Sequence, residues 1–537
     1  MNYLKKCFCV FMFLSVYVFS SGQNAYPKFE MRGVWVASVL NIDYPSVQTM
    51  DDNFLRHEWI QLLEKQQALG INTLMVQIRS VGDAFYPSKY VPWSKYLTGN
   101  QGTAPYNGYD PLEFMISTAH AYGFEFHAWL NPYRGIKRNE SVSSLHPSHQ
   151  LKLHPDWFVA YDKEYWLNPG LPEVRGHLID VVSEIVKNYN VDAIHFDDYF
   201  YPYKVQGEEF HDEVAFAKYG GQNFANQDDW RRSNVDSMIY LLSRTIKSIK
   251  PNVQFGISPF GIWRNAYRDP AGSDTFGGSN YDDLYADVLK WMRNGWIDYV
   301  APQIYWPIGF NKADYQKLVD WWSRNSNGKP VYVGIGAHNL IDGKDSRWKD
   351  PNEIPKQIRM ARNTGGVNGF IFFSSKSILS NPLGIGDSLR QHYLHFPAFH
   401  PQVLAYPEEV PCSAPHILSI SVDNGLVKID WRSNAGKCVA TDQYLVYRFD
   451  GNAVNFEDSR NIVAIIPANK RDLTFFDRGA EVDHVYSYAI TAATRHFKES
   501  APSRFRVIKK YKDGAIERLY WMESVKTVRV CDVGSWF

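Results

Sequence analysis

Cysteine is scarce in this chain of 537 residues, which contains five. None of the five forms a CxxC pair, so the sequence gives no support for a structural zinc site of the usual spacing. Cys7 and Cys9 lie in an N-terminal apolar run, and three cysteines remain beyond it. Of these, Cys412 and Cys438 would close a small loop in an oxidising compartment, or both would stay as free thiols. The sequence leaves these two alternatives open.

An excess of charge of one sign is also absent, because Lys+Arg and Asp+Glu both number 57. A neutral balance gives no reason to expect nucleic acid or an anionic membrane as a partner. Aromatic residues, by contrast, make up 15% of the chain. Aromatic faces fill protein cores, and exposed ones also stack on ligands.

Long hydrophobic runs are limited to the N-terminus, where Lys5 and Lys6 precede an apolar run followed by small residues up to Gly22. This layout predicts a signal peptide over residues 1–22, and an uncleaved anchor is the alternative. No later segment approaches the about 18 consecutive apolar residues of a membrane span. We therefore expect an exported protein with no membrane span after the signal is removed.

Eight apolar runs alternate with amphipathic stretches along most of the chain. The runs are continuous rather than alternating, which suits parallel strands covered on both faces. Gly70, Gly123 and Gly295 end amphipathic stretches and are helix-stop signals. The alternation predicts a (β/α)8 barrel over residues 29–395. An open, doubly wound sheet is disfavoured because no Gly-rich phosphate loop follows the first run. The runs begin at Arg32, Asn72, Phe124, Asp192, Val253, Asp298, Pro330 and Gly365.

The pattern changes after the barrel. A proline-rich stretch over residues 396–415 predicts a semi-rigid linker. Short alternating strands over residues 416–510 then predict a small all-β sandwich. Its strand order, with Trp431 early and YSYAITA late, resembles a fibronectin type III domain. Residues 511–537 fit neither domain, and the sequence leaves the structure of this tail unknown.

Polar and aromatic side chains follow the barrel runs, at the strand ends where such barrels build their active sites. Sugar hydroxyls need polar hydrogen-bonding partners, and the apolar face of a pyranose packs on an aromatic plate. The mixture therefore predicts a sugar-binding site. The candidate substrate-binding residues are Arg79, Asp83, His127, Trp129, Asn131, Arg134, His195, Tyr199, Trp263, Gln303, Tyr305 and Trp306.

The fourth run ends in HFDDYFYP, where two aspartates stand side by side. Adjacent carboxylates repel, and their burial is unfavourable unless they are paired or used. Strand alternation points Asp197 into the barrel together with His195, and Asp198 away from it or into the loop. We predict that Asp197 and Asp198 are the catalytic acid and its partner, in either order. A structural cap is the alternative for Asp198.

A catalytic metal has less support. Barrel amidohydrolases place a His-x-His pair on the first strand, and the first run here has no histidine. His127, His195 and His338 follow different runs and would have to converge on one ion. We expect neither a metal nor another cofactor.

Five motifs in order carry a family resemblance: MRGVWVAS at Met31, QIRSVGDAFYPS at Gln77, GYDPLEFMISTAHAYGFEFHAWLNPYR at Gly108, HFDDYFYP at His195 and APQIYWP at Ala301. Together they resemble the glycosyl hydrolase-like 10 family of secreted bacterial (β/α)8 proteins. The resemblance implies a glycoside hydrolase exported to the periplasm or beyond. It also implies relatives that act, or are suspected to act, on bacterial cell-wall glycan strands.

Glycosidases usually need a second carboxyl group, and the seventh run, VYVGIGAHN, has no acid. Candidates are Asp198 itself, Asp83, Glu208 and Glu209; in another route the N-acetyl group of the sugar is the nucleophile. Tyr201, beside Tyr199, is expected to help dry the site and raise the pKa of the acid.

The sequence thus predicts a hydrolase of a β-linked polysaccharide, with a peptidoglycan-type, N-acetylated glycan as the expected substrate. Two alternatives stay open. One is a barrel that binds glycan without cleaving it. The other is a metal-dependent deacetylase or amidase that acts on the same polymer.

Overall fold

Eight parallel strands form a closed barrel in the computed structural model, which describes residues 26–221, 223–401, 413–433, 441–468, 473–495 and 498–519. Each strand pairs with the next, and the eighth pairs with the first, with Met31 opposite Gly369. The predicted (β/α)8 fold is confirmed, and this closure excludes an open sheet. The strands are β1 Met31–Val36, β2 Thr73–Arg79, β3 Glu125–Leu130, β4 Ala193–Phe196, β5 Gln254–Ile257, β6 in two parts, Tyr299–Val300 and Gln303–Ile304, β7 Val331–Ile335 and β8 Val367–Phe372.

Every residue of β1, β2, β4, β5 and β7 is buried, which explains why their sequences are continuous apolar runs. β6 is the exception, because the run DYVAPQIYW contains Pro302. Proline has no N–H to donate to the ladder, and the strand breaks there. Gln303 then resumes the pairing with Gly334 of β7. The break places the Gln303 side chain at the rim.

Seven helices connect the strands: α1 Asp52–Ala68, α2 Pro111–Ala121, α3 Pro172–Asn188, α4 Gln227–Ile249, α5 Val288–Arg293, α6 Tyr315–Arg324 and α7 Glu353–Asn363. The carboxylate of Asp51 caps α1 by accepting the N–H groups of Asn53 and Phe54. Gly70 and Gly123 have φ of 83° and 84° just after α1 and α2, which confirms them as helix-stop residues.

The other helical segments are one or two turns long. They are Val39–Asn41, Lys95–Thr98, Tyr106–Gly108, Val142–Ser144, Gln150–Leu153, Pro155–Trp157, Glu213–Tyr219, Asn280–Asp283, Asn339–Asp342, Ser346–Lys349, Ser375–Leu379, Pro382–Gly384, Ile385–Ser388, Leu389–Tyr393 and Ser459–Asn461. Within the described parts of the chain, no helix is both long and apolar enough to cross a membrane.

A three-stranded antiparallel sheet, absent from the sequence prediction, lies between β3 and α3. Its strands are Arg134–Lys137, Phe158–Tyr161 and Glu164–Leu167. The last of these is central and pairs with both others. The sheet brings Arg134 and Glu164 together above the end of β4.

The C-terminal part consists of two antiparallel sheets that share a core, as the predicted sandwich requires. The strands are β9 His416–Asp423, β10 Leu426–Arg432, β11 Gln443–Asp450, β12 Ile462–Pro467, β13 Thr474–Asp477, β14 Val485–Ala493, β15 Arg506–Lys510 and β16 Ile516–Leu519. One sheet has the order β9-β10-β13 and the other β12-β11-β14-β15-β16. Trp431 packs on Tyr444 between the two sheets.

The domain boundaries and the fibronectin type III resemblance stay predictions. β16 lies within residues 511–537, the tail whose structure the sequence left unknown, and it extends the larger sheet. The predicted signal peptide, the pair Cys412 and Cys438, and most of the linker lie outside the described residues.

The sandwich packs against the end of the barrel where the strands begin. Arg495 donates to Asp192, the residue that precedes β4, and its guanidinium also lies 2.5 Å from a ring nitrogen of His120. Lys28 pairs with Glu499 at 2.5 Å. The described residues of the sandwich therefore lie at the end of the barrel opposite the rim formed by the strand ends.

Candidate active site

The two aspartates lie together at the end of β4 and are almost fully buried. Asp197 is 8% exposed and Asp198 is 1% exposed. Asp197 Oδ1 accepts the Asp198 N–H at 2.8 Å and the Gln303 amide at 3.0 Å. Two buried carboxylates in adjacent residues repel each other, which favours the uptake of a proton by one of them.

The surroundings of the pair favour protonation of Asp198 over Asp197. Burial and the neighbouring Asp197 carboxylate raise the pKa of Asp198 well above its ordinary value. Burial also raises the pKa of Asp197, but hydrogen bonds from the Asp198 N–H and Gln303 and the charge of Arg134 oppose that rise. Of the two, Asp198 is therefore better suited to be the neutral acid and Asp197 to be the carboxylate.

Tyr203 completes the pair from the loop after β4. Its hydroxyl donates to Asp198 Oδ2. Its ring packs on Tyr199, with centroids 5.8 Å apart. Tyr199 in turn lies under the Arg134 guanidinium at 5.1 Å. The Tyr203 hydroxyl therefore fixes one oxygen of the Asp198 carboxyl group.

Arg134 is fixed beside the site by the inserted sheet. It makes a two-pronged pair with Glu164, with N–O distances of 3.1 and 2.8 Å. Arg134 is therefore a charged group near Asp197 whose own hydrogen bonds are already partly used.

Aromatic side chains line the rim on the side of β6. Tyr305 is partly buried and packs on Phe373 at 5.8 Å, and burial raises its pKa well above the ordinary value. Trp306 packs edge-on against Phe260 at 5.5 Å. Trp129 is 5% exposed in the layer below, and its indole N–H has no partner among the described residues. Tyr305 and Trp306 are therefore the partly exposed rings at this side of the rim.

The other proposed second carboxylates are not at the pair. Asp83 is fully buried, and its Oδ1 accepts N–H groups of Ser80 and Val81, which makes it part of a tight turn. Glu208 and Glu209 are exposed on the loop after β4. We therefore place Asp83 in a structural role rather than among the substrate contacts.

Four further candidates bond or pack to residues other than the aspartates. Arg79 is fully buried and donates to the backbone oxygens of Asn131 and Pro132. Asn131 lies beside Asp197, because Leu130 pairs with Phe196 and accepts the Asp197 N–H, but its side chain is 1% exposed and accepts the Gln77 amide at 3.3 Å. Trp263 stacks on Trp321 in the outer layer. Tyr201 packs on Tyr285, so it does not dry the acid as expected.

His127 and His195 lie inside the barrel, where both are fully buried. The Trp35 indole, which only donates, donates to His195 Nε2 at 3.2 Å. His195 Nδ1 therefore carries the proton and donates to the Tyr299 hydroxyl at 2.9 Å. The hydroxyl is then free to donate to His127 Nδ1 at 2.8 Å. We place both histidines in the barrel core rather than among the substrate contacts.

The same chain of hydrogen bonds continues to the end of the barrel where the strands begin. His127 Nε2 lies 3.2 Å from Glu125, and Glu125 lies 3.3 Å from His400. These three side chains are the one group in the described parts of the chain that could hold a metal ion. Because His127 Nδ1 accepts from Tyr299, His127 Nε2 carries the proton and donates to Glu125. The three side chains lie where β3 begins, at the opposite end of the barrel from the aspartates. His338 is elsewhere, packed on Tyr305.

The glycosyl hydrolase-like 10 family model matches residues 30–349, which include every strand from β1 to β7 and both aspartates. The chain belongs to this family. The curated relatives include the glycosyl hydrolase YngK of Bacillus subtilis, 44% identical over 486 residues that cover 90% of this chain and 94% of YngK. They also include the glycosyl hydrolase DigH of Escherichia coli K12, 39% identical over 367 residues that cover 64% of this chain and 82% of DigH.

Among solved structures, the glycoside hydrolase domain of PgaB (BpsB) from Bordetella bronchiseptica matches 67% of this chain and 98% of its own length. The sequence identity to this domain is 14% and the TM-score is 0.45. Family membership and the relatives' names support a hydrolase that acts on glycans.

Three residues of the site in this glycosyl hydrolase-like 10 chain were not among the candidates. Tyr203 lies in the loop after β4, three residues beyond the fourth run, Glu164 lies in the inserted sheet, and Trp35 lies within β1. The alternation of tyrosines in DDYFYPY was the available signal for Tyr203. No local signal pointed to Glu164, because its sheet forms by pairing with residues 134–137 and 158–161.

The core hydrogen-bond chain gives a stability prediction for this family member. Tyr299→Phe would leave the Nδ1 atoms of His127 and His195 without a partner, and we expect it to lower the free energy of unfolding by about 2–4 kcal/mol. Tyr332→Phe is the matched control, because the Tyr332 hydroxyl is fully buried near Tyr299 with no partner within the described residues. Denaturant unfolding measures both, and equal stability of the two variants would contradict the assigned chain.

Proposed function

We propose that this protein is an exported glycoside hydrolase that cleaves an N-acetylated, peptidoglycan-type glycan strand. The observation that carries the proposal is the buried pair of adjacent aspartates at the rim, with Asp197 held by Gln303 and Asp198 by Tyr203, in which burial and the Asp197 charge raise the pKa of Asp198 well above its ordinary value. A neutral acid beside a carboxylate is the arrangement that glycosidic bond cleavage needs. The signal-peptide pattern and the relatives' names support export and a glycan substrate.

The spacing of the pair supports participation by the substrate. Two-carboxylate glycosidases keep their groups about 5–5.5 Å apart for retention or about 6.5–9.5 Å apart for inversion. Here the two aspartates are adjacent in the chain and the Asp198 N–H donates to Asp197 Oδ1, so they do not flank a sugar ring from opposite faces. A neighbouring N-acetyl group supplies the nucleophile when the protein provides only one acid. The substrate class we propose is therefore one with an N-acetyl group at carbon 2 of the sugar that is attacked.

The proposed reaction has two steps. Asp198 gives its proton to the glycosidic oxygen as the bond from that oxygen to C1 breaks, and the acetamido oxygen bonds to C1 in a cyclic intermediate. Asp197 accepts a hydrogen bond from the acetamido N–H and stabilises its positive charge. Water then adds to C1 as the bond from C1 to the acetamido oxygen breaks, which restores the acetamido group. The water gives a proton to Asp198, and the product is a hemiacetal of retained configuration.

The test is release of new reducing ends by the purified mature protein. Peptidoglycan, peptide-stripped peptidoglycan and chitin are the substrates, and the control is an Asp197→Asn, Asp198→Asn double variant shown to be folded by circular dichroism. Reducing ends from the native protein alone support the glycosidase. Binding without release by both proteins would replace it with a glycan-binding barrel. A chelator-sensitive release of amine or peptide, with no reducing ends, would replace it with a metal-dependent deacetylase or amidase.

Tyr203→Phe tests the role of the hydroxyl at the acid. The Tyr203 hydrogen bond lowers the pKa of Asp198 by favouring its ionised form. Its removal should therefore raise that pKa and move the alkaline limb of the pH–kcat profile to higher pH. Tyr201→Phe is the matched control, since the charged groups nearest Tyr201 are Asp212 and Arg231. An unmoved limb in Tyr203→Phe would contradict the assignment of Asp198 as the acid.

A further inference from the structure

An open cavity of about 270 Å³ adjoins the aspartate pair. We propose that this cavity, the Tyr267 pocket, binds the sugar residue next to the one held at the aspartates. Its lining comes from residues 203–204 after β4 and from the loop 260–284 after β5. The proposal rests on the proposed function, because it names a second binding position for the same glycan strand.

The first observation is that one side chain borders both places. The Tyr203 hydroxyl donates to Asp198, and the same tyrosine lines the Tyr267 pocket. Its ring packs against Phe260, another lining residue, at 5.9 Å. A sugar in the pocket would therefore lie one tyrosine ring away from the catalytic acid. Neighbouring units of one strand can occupy the two places together.

The second observation is an aromatic surface at the pocket that the described residues leave exposed. Tyr267 is 59% exposed, and Phe276, which is 57% exposed, stacks on it at 5.5 Å with ring planes 10° apart. Exposed, stacked aromatic side chains gain little by folding alone, since most of their apolar area stays in water. The apolar face of a pyranose would cover that area.

The third observation concerns charge. The acids of the pocket are already neutralised: Asp283 pairs with Lys204 at 3.2 Å, and Asp282 pairs with Arg264 at 3.0 Å. Arg268 is exposed, lies over the Tyr267 ring at 5.8 Å and has no carboxylate partner within the described residues. Its guanidinium is therefore available to donate to an oxygen substituent of a sugar stacked on Tyr267. Aromatic plate and donor lie side by side.

Tyr267→Ala and Arg268→Gln test the pocket in the full-length mature protein. With peptide-stripped peptidoglycan strands, we expect each variant to raise KM about tenfold, a loss typical of one stacking or charged contact. The effect should be smaller with 4-nitrophenyl N-acetyl-β-glucosaminide, which carries a single sugar. Tyr240→Ala is the matched control, because Tyr240 is 43% exposed and packs on Trp296 at 5.4 Å outside the pocket.

A KM for strands within twofold of the native value in both pocket variants would overturn the proposal. If the native protein cleaves none of these substrates, the proposed function fails. A binding measurement then tests separately whether the Tyr267 pocket is a glycan site. The native protein and Tyr267→Ala are then titrated with the same strands. Weaker binding by the variant would keep the pocket as a glycan site, and equal binding would overturn it.

Discussion

Asp198→Asn should lower kcat for cleavage of the native glycan by about 10³-fold, within the range that general acid catalysis contributes. The reason is that an amide has no acidic proton to give to a sugar leaving group. A nitrophenolate leaves without protonation, so the same variant should lose less than about tenfold with 4-nitrophenyl N-acetyl-β-glucosaminide. Steady-state kinetics with the two substrates measure the difference.

Asp197→Asn is the matched comparison for this prediction. Asp197 stabilises the charge that develops on the acetamido group, whichever group leaves, so its loss should reduce kcat for both substrates to a similar extent. In the opposite pattern, Asp197→Asn would keep most of its kcat with 4-nitrophenyl N-acetyl-β-glucosaminide and Asp198→Asn would not. That result would make Asp197 the acid and Asp198 the group that stabilises the acetamido charge. Equal behaviour of both variants would contradict any division of roles.

Acid should destabilise the fold strongly between pH 6.5 and pH 4, because several histidines are buried in the neutral state. Burial lowers the pKa of His127 to about 4, of His149 to about 4 and of His177 to about 3. The ordinary value in the unfolded chain is about 6.5, so unfolding takes up protons in this window. At pH 5 each of the three should lower the free energy of unfolding by about 2 kcal/mol relative to pH 7.

Carboxyl groups with raised pKa values act in the opposite direction. Burial raises the pKa of Asp43 to about 6, so protonation of this group stabilises the folded state as the pH falls. Asp198 contributes with the same sign. The three histidines together outweigh these acids, and we expect a net loss of several kcal/mol at pH 5.

His177→Gln isolates one contribution to this pH dependence. The variant cannot take up a proton at position 177, so its loss of stability from pH 7 to pH 5 should be about 2 kcal/mol smaller than that of the native protein. His211→Gln, at a position 69% exposed, is the control. Urea unfolding at both pH values gives the comparison. An unchanged difference in His177→Gln would contradict the buried, neutral histidine.

The barrel could be predicted from the sequence because its signals are local. Continuous apolar runs arise wherever both faces of a strand are buried, and glycines with positive φ end helices at fixed places. The break in β6 at Pro302 was in principle readable from the same rules. The sheet around Arg134 and Glu164 was not, because its strands are four residues long and their pairing is decided by the barrel loop.

The site was only partly predictable, because a strand pattern gives the direction of a side chain and not its depth. Asp197, Gln303 and Tyr305 lie at the rim as expected. His127, His195 and Arg79 also follow strands, but they lie below the rim and bond to core partners. The order of the aspartates depends on which one is nearer to Tyr203, and that contact forms across a loop.

The most direct test of the account is the configuration of the first product. Proton NMR during cleavage of peptide-stripped glycan strands records the anomeric signal before it equilibrates. A pair of adjacent aspartates that relies on the N-acetyl group of the substrate predicts a β hemiacetal, with the configuration of the β-linked strand retained. An α hemiacetal would mean direct attack by water on the opposite face, which needs a second, distant carboxylate and contradicts the account.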